Sequence, residues 1–306
     1  MQYIDLHTHT HYSDGTSTVE NSLRTAEELG LSLFSVADHN TVNAHEEIIE
    51  KREMFSGKIL PATELNALIY GNVIDVLGYG IDLPKMKEII SKTYLNYRDK
   101  QVAEAKIDTL GVLGAGAVLD DAFVRDMLED PDKRFDTYHK NCRPIILAEM
   151  RKYPENARFF SSREEFETID QNTFARYYIY NINSPLYCDQ SPLFPTLKGV
   201  IDIIHSCGGL AFLAHALVYT KDLIDNIDNV ISEGLDGLEC YYGTFNAEQR
   251  EFLCGKCREH GIYMSGGSDF HGLDMRPENL MGLSCGVKIP RSLISDWEDR
   301  VADKFI

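Results

Sequence analysis

Positive charge is scarce in this chain of 306 residues: 30 Lys and Arg stand against 48 Asp and Glu, a formal net charge of −18. So acidic a surface repels polyanions, which argues against non-specific binding of nucleic acid and against a stable nucleic-acid partner. It leaves room for a small phosphorylated substrate, because bound cations reverse the local field. Long apolar runs are missing as well. No stretch reaches the roughly 18 apolar residues that a membrane span requires, and the first residues lack the basic and apolar regions of a signal peptide. Cysteine is sparse, odd in number at seven, and scattered. That excludes a disulfide framework and points to reduced thiols in a cytoplasm. Cys254-x-x-Cys257 has no second pair nearby and reads as structural rather than as a zinc site. Oligomeric state is not legible. What is present, 43% apolar and 25% charged residues, is the composition of a globular protein long enough for one large barrel or two ordinary domains.

Strand and helix signals alternate at both ends of the chain. Residues 2–9 read as a strand. Ser17-x-x-Glu20 is a capping-box signal for a helix ending near Gly30. Leu31 to Ala37 is a short apolar run and reads as a buried strand. Thr41 is placed to cap a helix running to about Phe55, and Lys58–Ala62 and Val73–Tyr79 are further strands. The alternation returns late, with strands at 209–214, 235–241 and 262–266 and helices at 196–207, 221–233 and 246–260. This β-α pattern predicts a parallel, barrel-like sheet. The middle differs: strand signals nearly vanish, helical periodicity dominates, and turns fall at 111–116 and at Asp130-Pro131. The expected organisation is a barrel from residues 1–83 and 196–290, a mainly helical insertion at 84–195 that covers the active site, and a helical tail at 291–306.

The chemistry-bearing residues gather at strand ends, where barrel enzymes keep their catalytic groups. Asp5-Leu6-His7-Thr8-His9 places two imidazoles on one face of an extended segment, and Ser13-Asp14-Gly15 follows within a turn. Asp38-His39 closes the strand 31–37. Glu64 follows Leu60-Pro61-Ala62, and Asp75 lies inside Val73–Leu77. His215 follows Ala211-Phe212-Leu213-Ala214, and Asp269 and His271 follow the strand at 262–266 in Ser265-Gly-Gly-Ser-Asp269-Phe-His271-Gly272. The small residues before Asp269 let the backbone approach something closely. Imidazole and carboxylate are the donors of hydrolytic zinc, manganese and iron sites.

Four segments carry a family resemblance: DLHTHTHYSDG, ADHNT, PATELN, and the pair LAHA and GGSDFHG. Together they resemble the PHP (polymerase and histidinol phosphatase) superfamily, most closely its stand-alone, tryptophan-operon-associated type. The resemblance spans the two flanks and implies a distorted seven-stranded (β/α) TIM-like barrel holding two or three divalent ions, Mn, Fe or Zn. Carried over by position, it implies that His7, His9, Glu64 and Asp269 hold one metal, and that Asp14, His39 and His271 hold a second. Glu64 would then bridge to a third position completed by His215 and residue 75. That residue is Asp75, where the family pattern HxLGYGID has histidine. A second departure is Gln171-Asn172-Thr173-Phe174-Ala175-Arg176, where the family carries Arg-Thr-His-Phe-Ala-Arg. Arg176 remains as a candidate phosphate clamp, with Arg143 as a weaker one.

The expected activity is therefore that of a metal-dependent phosphoesterase. It would hydrolyse phosphate monoesters of small metabolites, nucleotides foremost, by attack of a metal-bridging hydroxide, with Asp269, His271 and Glu64 at the reacting centre. The alternatives are a histidinol-phosphate phosphatase, a 5′-3′ oligonucleotide exonuclease, an amidohydrolase-type C–N hydrolase, and a metal-binding regulatory module. Amidohydrolases usually show a lysine at a strand end, and none stands in the candidate positions. Other residues have plainer readings. Glu239 is placed to orient a ligand, and Tyr241-Tyr242 either lines the pocket or packs the rim. His11 reads as surface or supporting, His205 as core or cap packing, and His45, His139 and His260 as solvated helix residues.

Overall fold

The computed structural model describes residues 2–129 and 142–306; His139 and the Asp130-Pro131 turn lie outside them. The chain divides into two compact units, one of residues 1–67, 74–92 and 196–306, the other of 68–73 and 93–195. Among the described residues no helix is long and apolar enough to cross a membrane.

In the first unit β1 (Ile4–Asp5), β2 (Leu33–Phe34) and β3 (Lys58–Ile59) form a parallel sheet. A second sheet runs in the order β4 (Ala62–Ile69), β5 (Asn72–Tyr79), β6 (Leu210–Leu213), β7 (Gly237–Tyr241) and β8 (Tyr263–Gly266). β9 (Leu283–Ser284) and β10 (Val287–Lys288) make a small antiparallel pair. The β6–β7–β8 pairings are parallel, but β5 runs antiparallel to β6.

The architecture is thus mixed α/β, and where a distorted seven-stranded barrel was expected the sheets do not close into one among the described residues. Hydrogen bonding among the described residues gives separate ladders of three, five and two strands. The reason lies at the strand ends. Beyond β1 to β3 the ladders continue only as single bridges, Thr8 to Phe270 and His39 to Glu64. There the backbone is bent to aim side chains rather than to extend a sheet. Strand lengths shrink accordingly, from 31–37 to Leu33–Phe34 in one case. The opposite error occurs at Ala62–Ile69, an eight-residue strand where only its first residue was expected.

Local signals explain most helices. Val19–Glu28 begins at Thr18, whose side chain accepts from the Asn21 amide, so Thr18 rather than Ser17 is the cap. Its Val19, Leu23 and Ala26, at positions i, i+4 and i+7, are buried. Ala247–His260 opens with a reciprocal Asn246–Gln249 capping box and closes on Gly261 at φ 66°. The tail is helical only as short 3₁₀ turns, Arg291–Ile294 and Glu298–Lys304. It seals the core of the first unit. Trp297 is 1% exposed, stacks on Tyr79 and donates its indole N–H to the Met264 carbonyl at 2.8 Å. Val301 packs so close to Gly80 that a Cβ there would sit 2.4 Å from it. The second unit is helical and has its own core, built around Val112, Met127, Ile146, Met150, Phe174 and Leu186.

Candidate metal centre

Backbone pairing brings the rim residues together. The His9 amide donates to the Phe270 carbonyl, the Asp269 amide to the His7 carbonyl and the Asn40 amide to the Glu64 carbonyl, each at 2.8 Å. Gly267 is required here: a Cβ on it would stand 2.1 Å from the His7 Cβ. The close approach read from the Gly-Gly pair is therefore to the His7 strand. Asp269, His215 and Asn40 take positive φ values of 56°, 31° and 52°. For residues other than glycine this costs about 1–3 kcal/mol each, strain of the kind that gathers at functional sites.

Four ligand atoms then converge. The Nε2 atoms of His7 and His9 lie 3.0 Å apart. Glu64 Oε2 is 3.3 Å from each, and Asp269 Oδ1 is 3.4 Å from His7 and 3.1 Å from His9. All four side chains are buried. Donors held about 2.1 Å from a tetrahedral cation stand about 3.4 Å apart, close to the spacing seen here. A second set adjoins the first. Asp14 Oδ1 lies 3.3 Å from His271 Nε2 and 3.7 Å from His9 Nδ1, and Asp14 Oδ2 lies 3.8 Å from His39 Nε2. A third gathers His39, Glu64 and Asp75. His215 Nε2 reaches it at 3.0 Å from Glu64 Oε1 and 3.8 Å from Asp75 Oδ2. Asp75 is steadied by Asn66 and by the Tyr219 hydroxyl, which accepts its backbone N–H at 2.8 Å.

The donor set suits cations. Glu64 Oε2, His39 Nδ1, His215 Nδ1 and His271 Nε2 are buried without a hydrogen-bond partner, a cost of about 1–3 kcal/mol per atom unless something else satisfies them. The imidazoles are also set in the ligating tautomer. His7 donates Nδ1–H to Glu239 Oε1 at 2.9 Å and His271 donates Nδ1–H to the Asp269 carbonyl at 2.8 Å, which leaves each Nε2 as a lone pair. Glu239, the expected orienting carboxylate, takes the His215 backbone N–H on its other oxygen at 2.7 Å. Asp38 supports the turn before Asp14 by accepting from the Thr10 amide and hydroxyl and the Ser13 hydroxyl, at 2.6–2.7 Å.

The charges point the same way. Burial disfavours charge on His7, yet Glu239, Glu64 and Asp269 outweigh it and hold that imidazole well above its usual range. His9 is likewise pulled up, against burial, to about 10 by Asp269 and Glu64. Burial opposes ionisation of Glu64 and Asp14 too, but facing imidazoles hold both well below the carboxylate range. Asp269 is held low mainly by Arg276 and His271. In such a cluster divalent cations take over the charge balance that protons otherwise keep.

Some placements were not anticipated. Asp5 lies beneath the site and accepts from the His7, Ser268 and Gly282 amides and the Ser268 hydroxyl; burial pushes its carboxyl up to about 6. Its i, i+2 spacing to His7 was the available signal. Of the two readings open for Tyr242, pocket or rim, the geometry favours the pocket: its hydroxyl donates to Asp269 Oδ2 at 3.0 Å. Arg276, overlooked in the sequence, donates Nη1 to the same oxygen. His45 is buried, not solvated, and its Nε2 accepts the Ala62 amide at 3.2 Å. His205 is not core: it is half-exposed and pairs with Asp236. His260 pairs with Asp228. Cys257 packs its thiol 3.6 Å from that of Cys240.

In the second unit Arg176 lies partly exposed in a π-helical turn, Ala175–Ile179. Arg143 is buried there, 3.2 Å from Glu104 and 3.1 Å from Asp108.

Comparison with known proteins adds to this geometry. Residues 5–82 match the PHP domain. The chain is 25% identical over 291 residues to a 5′-3′ exoribonuclease, Rnm, of Escherichia coli, covering 87% of this chain and 84% of that one. It is 22% identical over 272 residues to a phosphoribosyl 1,2-cyclic phosphate 1,2-diphosphodiesterase of Eggerthella lenta, covering 88% and 94%. Among solved structures, an amidohydrolase of Chromobacterium violaceum with bound sulfate and no metal superposes with a TM-score of 0.64 at 20% identity, over 99% of this chain and 97% of that one.

Proposed function

We propose, from the premise that this chain carries a PHP domain, that it is a metal-dependent phosphoesterase releasing phosphate from small phosphorylated metabolites, nucleotides foremost. The observation that carries this reading is the convergence of His7 Nε2, His9 Nε2, Glu64 Oε2 and Asp269 Oδ1 within 3.0–3.4 Å of one another across five measured pairs. Two adjoining sets share residues with it.

His7, His9, Glu64 and Asp269 would hold one divalent ion, and Asp14, His39 and His271 a second. A third position would fall to Glu64, Asp75 and His215. Mn²⁺, Fe²⁺ and Zn²⁺ all suit imidazole and carboxylate donors, and Asp75 in place of the family histidine favours the harder ions. When bound, such ions polarise phosphoryl oxygens and make water acidic enough to attack at neutral pH. The protein contributes placement. Glu239 and the Asp269 carbonyl fix the imidazole tautomers, Asp5 and Asp38 pin the loops that carry the ligands, and the buried rim excludes competing water. Glu64, Asp269 and His271 are ligands at the reacting centre rather than nucleophiles, so no phosphorylated enzyme forms. Arg176 is the arginine proposed from the family motif to clamp phosphate and keeps part of its surface exposed; Arg143, the weaker candidate from the sequence, is instead buried against Glu104 and Asp108. Seven free cysteines fit a reducing cytoplasm.

A second reading has specific support. The exoribonuclease relative aligns over 87% of this chain, so short RNA with a 5′ end is an alternative substrate, although a net charge of −18 disfavours long polyanions. A panel with Mn²⁺ separates the readings: AMP, 3′,5′-bisphosphates, histidinol phosphate, short RNA and a phosphodiester dye. The proposal expects phosphate release from a monoester, abolished in folded His9→Ala and Asp269→Asn. Full activity in either variant would sink it.

A further inference from the structure

We propose that Arg276 is a phosphate-binding residue of this site, a role that rests on the phosphoesterase reading above. Among the described residues it is the one lysine or arginine paired with any of the nine candidate ligands. Its partner is Asp269, whose two oxygens divide their work. Oδ1 faces the imidazoles of His7 and His9, while Oδ2 takes Arg276 Nη1 and the Tyr242 hydroxyl. The guanidinium is therefore tethered by one nitrogen to a candidate metal ligand.

Its backbone is fixed as well. Gly272 stands at φ 103°, its carbonyl accepts the Arg276 amide at 3.1 Å, and the Arg276 carbonyl accepts the Asn279 amide at 3.1 Å. The Asn279 side chain returns to the Asp269 carbonyl at 3.2 Å. The 272–279 loop thus closes over Asp269 and presents Arg276 at a set place, with its side chain 24% exposed.

What remains of the guanidinium is what an anion needs. Nε and Nη2 make no hydrogen bond among the described residues, and together they form a planar edge matched to two oxygens of a phosphoryl group. Among the described residues no other lysine or arginine pairs with Asp14, Glu64, Asp75 or Asp269, and these four carboxylates would repel a phosphate dianion in the absence of cations. The chemistry recognised is that of a terminal phosphoryl group, whichever alcohol it esterifies. Arg276 would meet the phosphate from the Asp269 side, independently of Arg176.

Inorganic phosphate is the probe. Manganese-loaded wild type, R276A, R276Q and R276K are titrated with it calorimetrically, and manganese per chain is measured for each. The proposal expects R276A and R276Q to bind phosphate about 10- to 100-fold more weakly with manganese content unchanged. R276K should recover only part of the loss, because an ammonium lacks the planar edge. KM for any phosphomonoester that is turned over should rise in parallel, with kcat less affected. Phosphate affinity within twofold of wild type in R276A and R276Q would overturn the proposal. So would loss of manganese as the sole effect, which would make Arg276 a positioning residue for Asp269. Because binding is read without turnover, a wild type that releases no phosphate from any ester counts against the phosphoesterase reading, while the titration still judges Arg276.

Discussion

Each unit of this protein buries a knot of charge, and the two knots are built differently. In the helical unit Arg143 lies inside, 3.2 Å from Glu104 and 3.1 Å from Asp108, with its guanidinium 4.6 Å from the Tyr180 ring and Gln190 donating to Asp108 at 2.8 Å. In the first unit Asp14, Glu64, Asp75 and Asp269 face imidazoles whose tautomers are set to offer lone pairs. One knot carries its own cation. The other has a guanidinium only at its edge, Arg276 on Asp269 Oδ2; its converging ligand atoms face one another acceptor against acceptor and need cations from outside. The same ingredients, buried carboxylates and basic groups, thus give a structural strut in one place and a binding site in the other. Burial pushes Asp108 up to about 6, against the pull of Arg143, so even the closed knot has no charge to spare.

The largest effect expected from breaking this contrast is on the closed knot. Arg143→Ala removes the guanidinium that stands between two buried carboxylates and should cost about 3–5 kcal/mol of stability. Urea unfolding with and without Mn²⁺ measures it, and the loss should be the same in both. A loss under about 1 kcal/mol, or one that added metal repairs, would mean that Arg143 is no strut.

The open knot should respond to metal instead. With Mn²⁺ at a hundred times its dissociation constant, wild type gains about 2.7 kcal/mol. A chelator should remove that gain reversibly, as a fall in melting temperature. Asp269→Asn, lacking one of the four converging donors, should respond much less. Equal response of both proteins to the chelator would show that the stabilising metal lies elsewhere.

The contrast also explains what could be read in the sequence. His7, His9, His39, Glu64, His215, Asp269 and His271 were legible because each follows an apolar run, and strand ends share a rim. The buried face of His45 was also readable, since Ile48 stands three positions on, yet the acidic neighbours Glu46 and Glu47 suggested solvent. Arg276 was not legible: the loop Leu273 to Leu280 has no periodicity, and its partner Asp269 is met only through a turn. Strand direction was hidden as well. An apolar run records burial, not polarity, so β5 was assumed parallel and runs antiparallel to β6. Strand length was hidden for a related reason. Apolar residues at 31–37 pack the core throughout, but only Leu33–Phe34 find ladder partners on both sides.

The smallest of these effects belongs to Glu239, which touches the site only through its ligands. It is fully buried, holds His7 Nδ1 at 2.9 Å with one oxygen and the His215 amide at 2.7 Å with the other. Two of the candidate ligands are therefore oriented by one carboxylate. Glu239→Gln is nearly isosteric, so packing should survive, but an amide has only one acceptor oxygen for two donors. Whichever donor it serves, its N–H₂ group faces the other, and one ligand turns from its place. Such supporting carboxylates typically change metal affinity by about 10- to 100-fold, about 1.4–2.7 kcal/mol, and a competitive chelator titration resolves that range. The chelation-induced fall in melting temperature should persist at saturating Mn²⁺, because the donors themselves remain. An affinity equal to wild type would show that the ligand geometry is set by β1 and the Gly267 contact alone, and that Glu239 belongs with the closed knot's kind of charge rather than with the open one's.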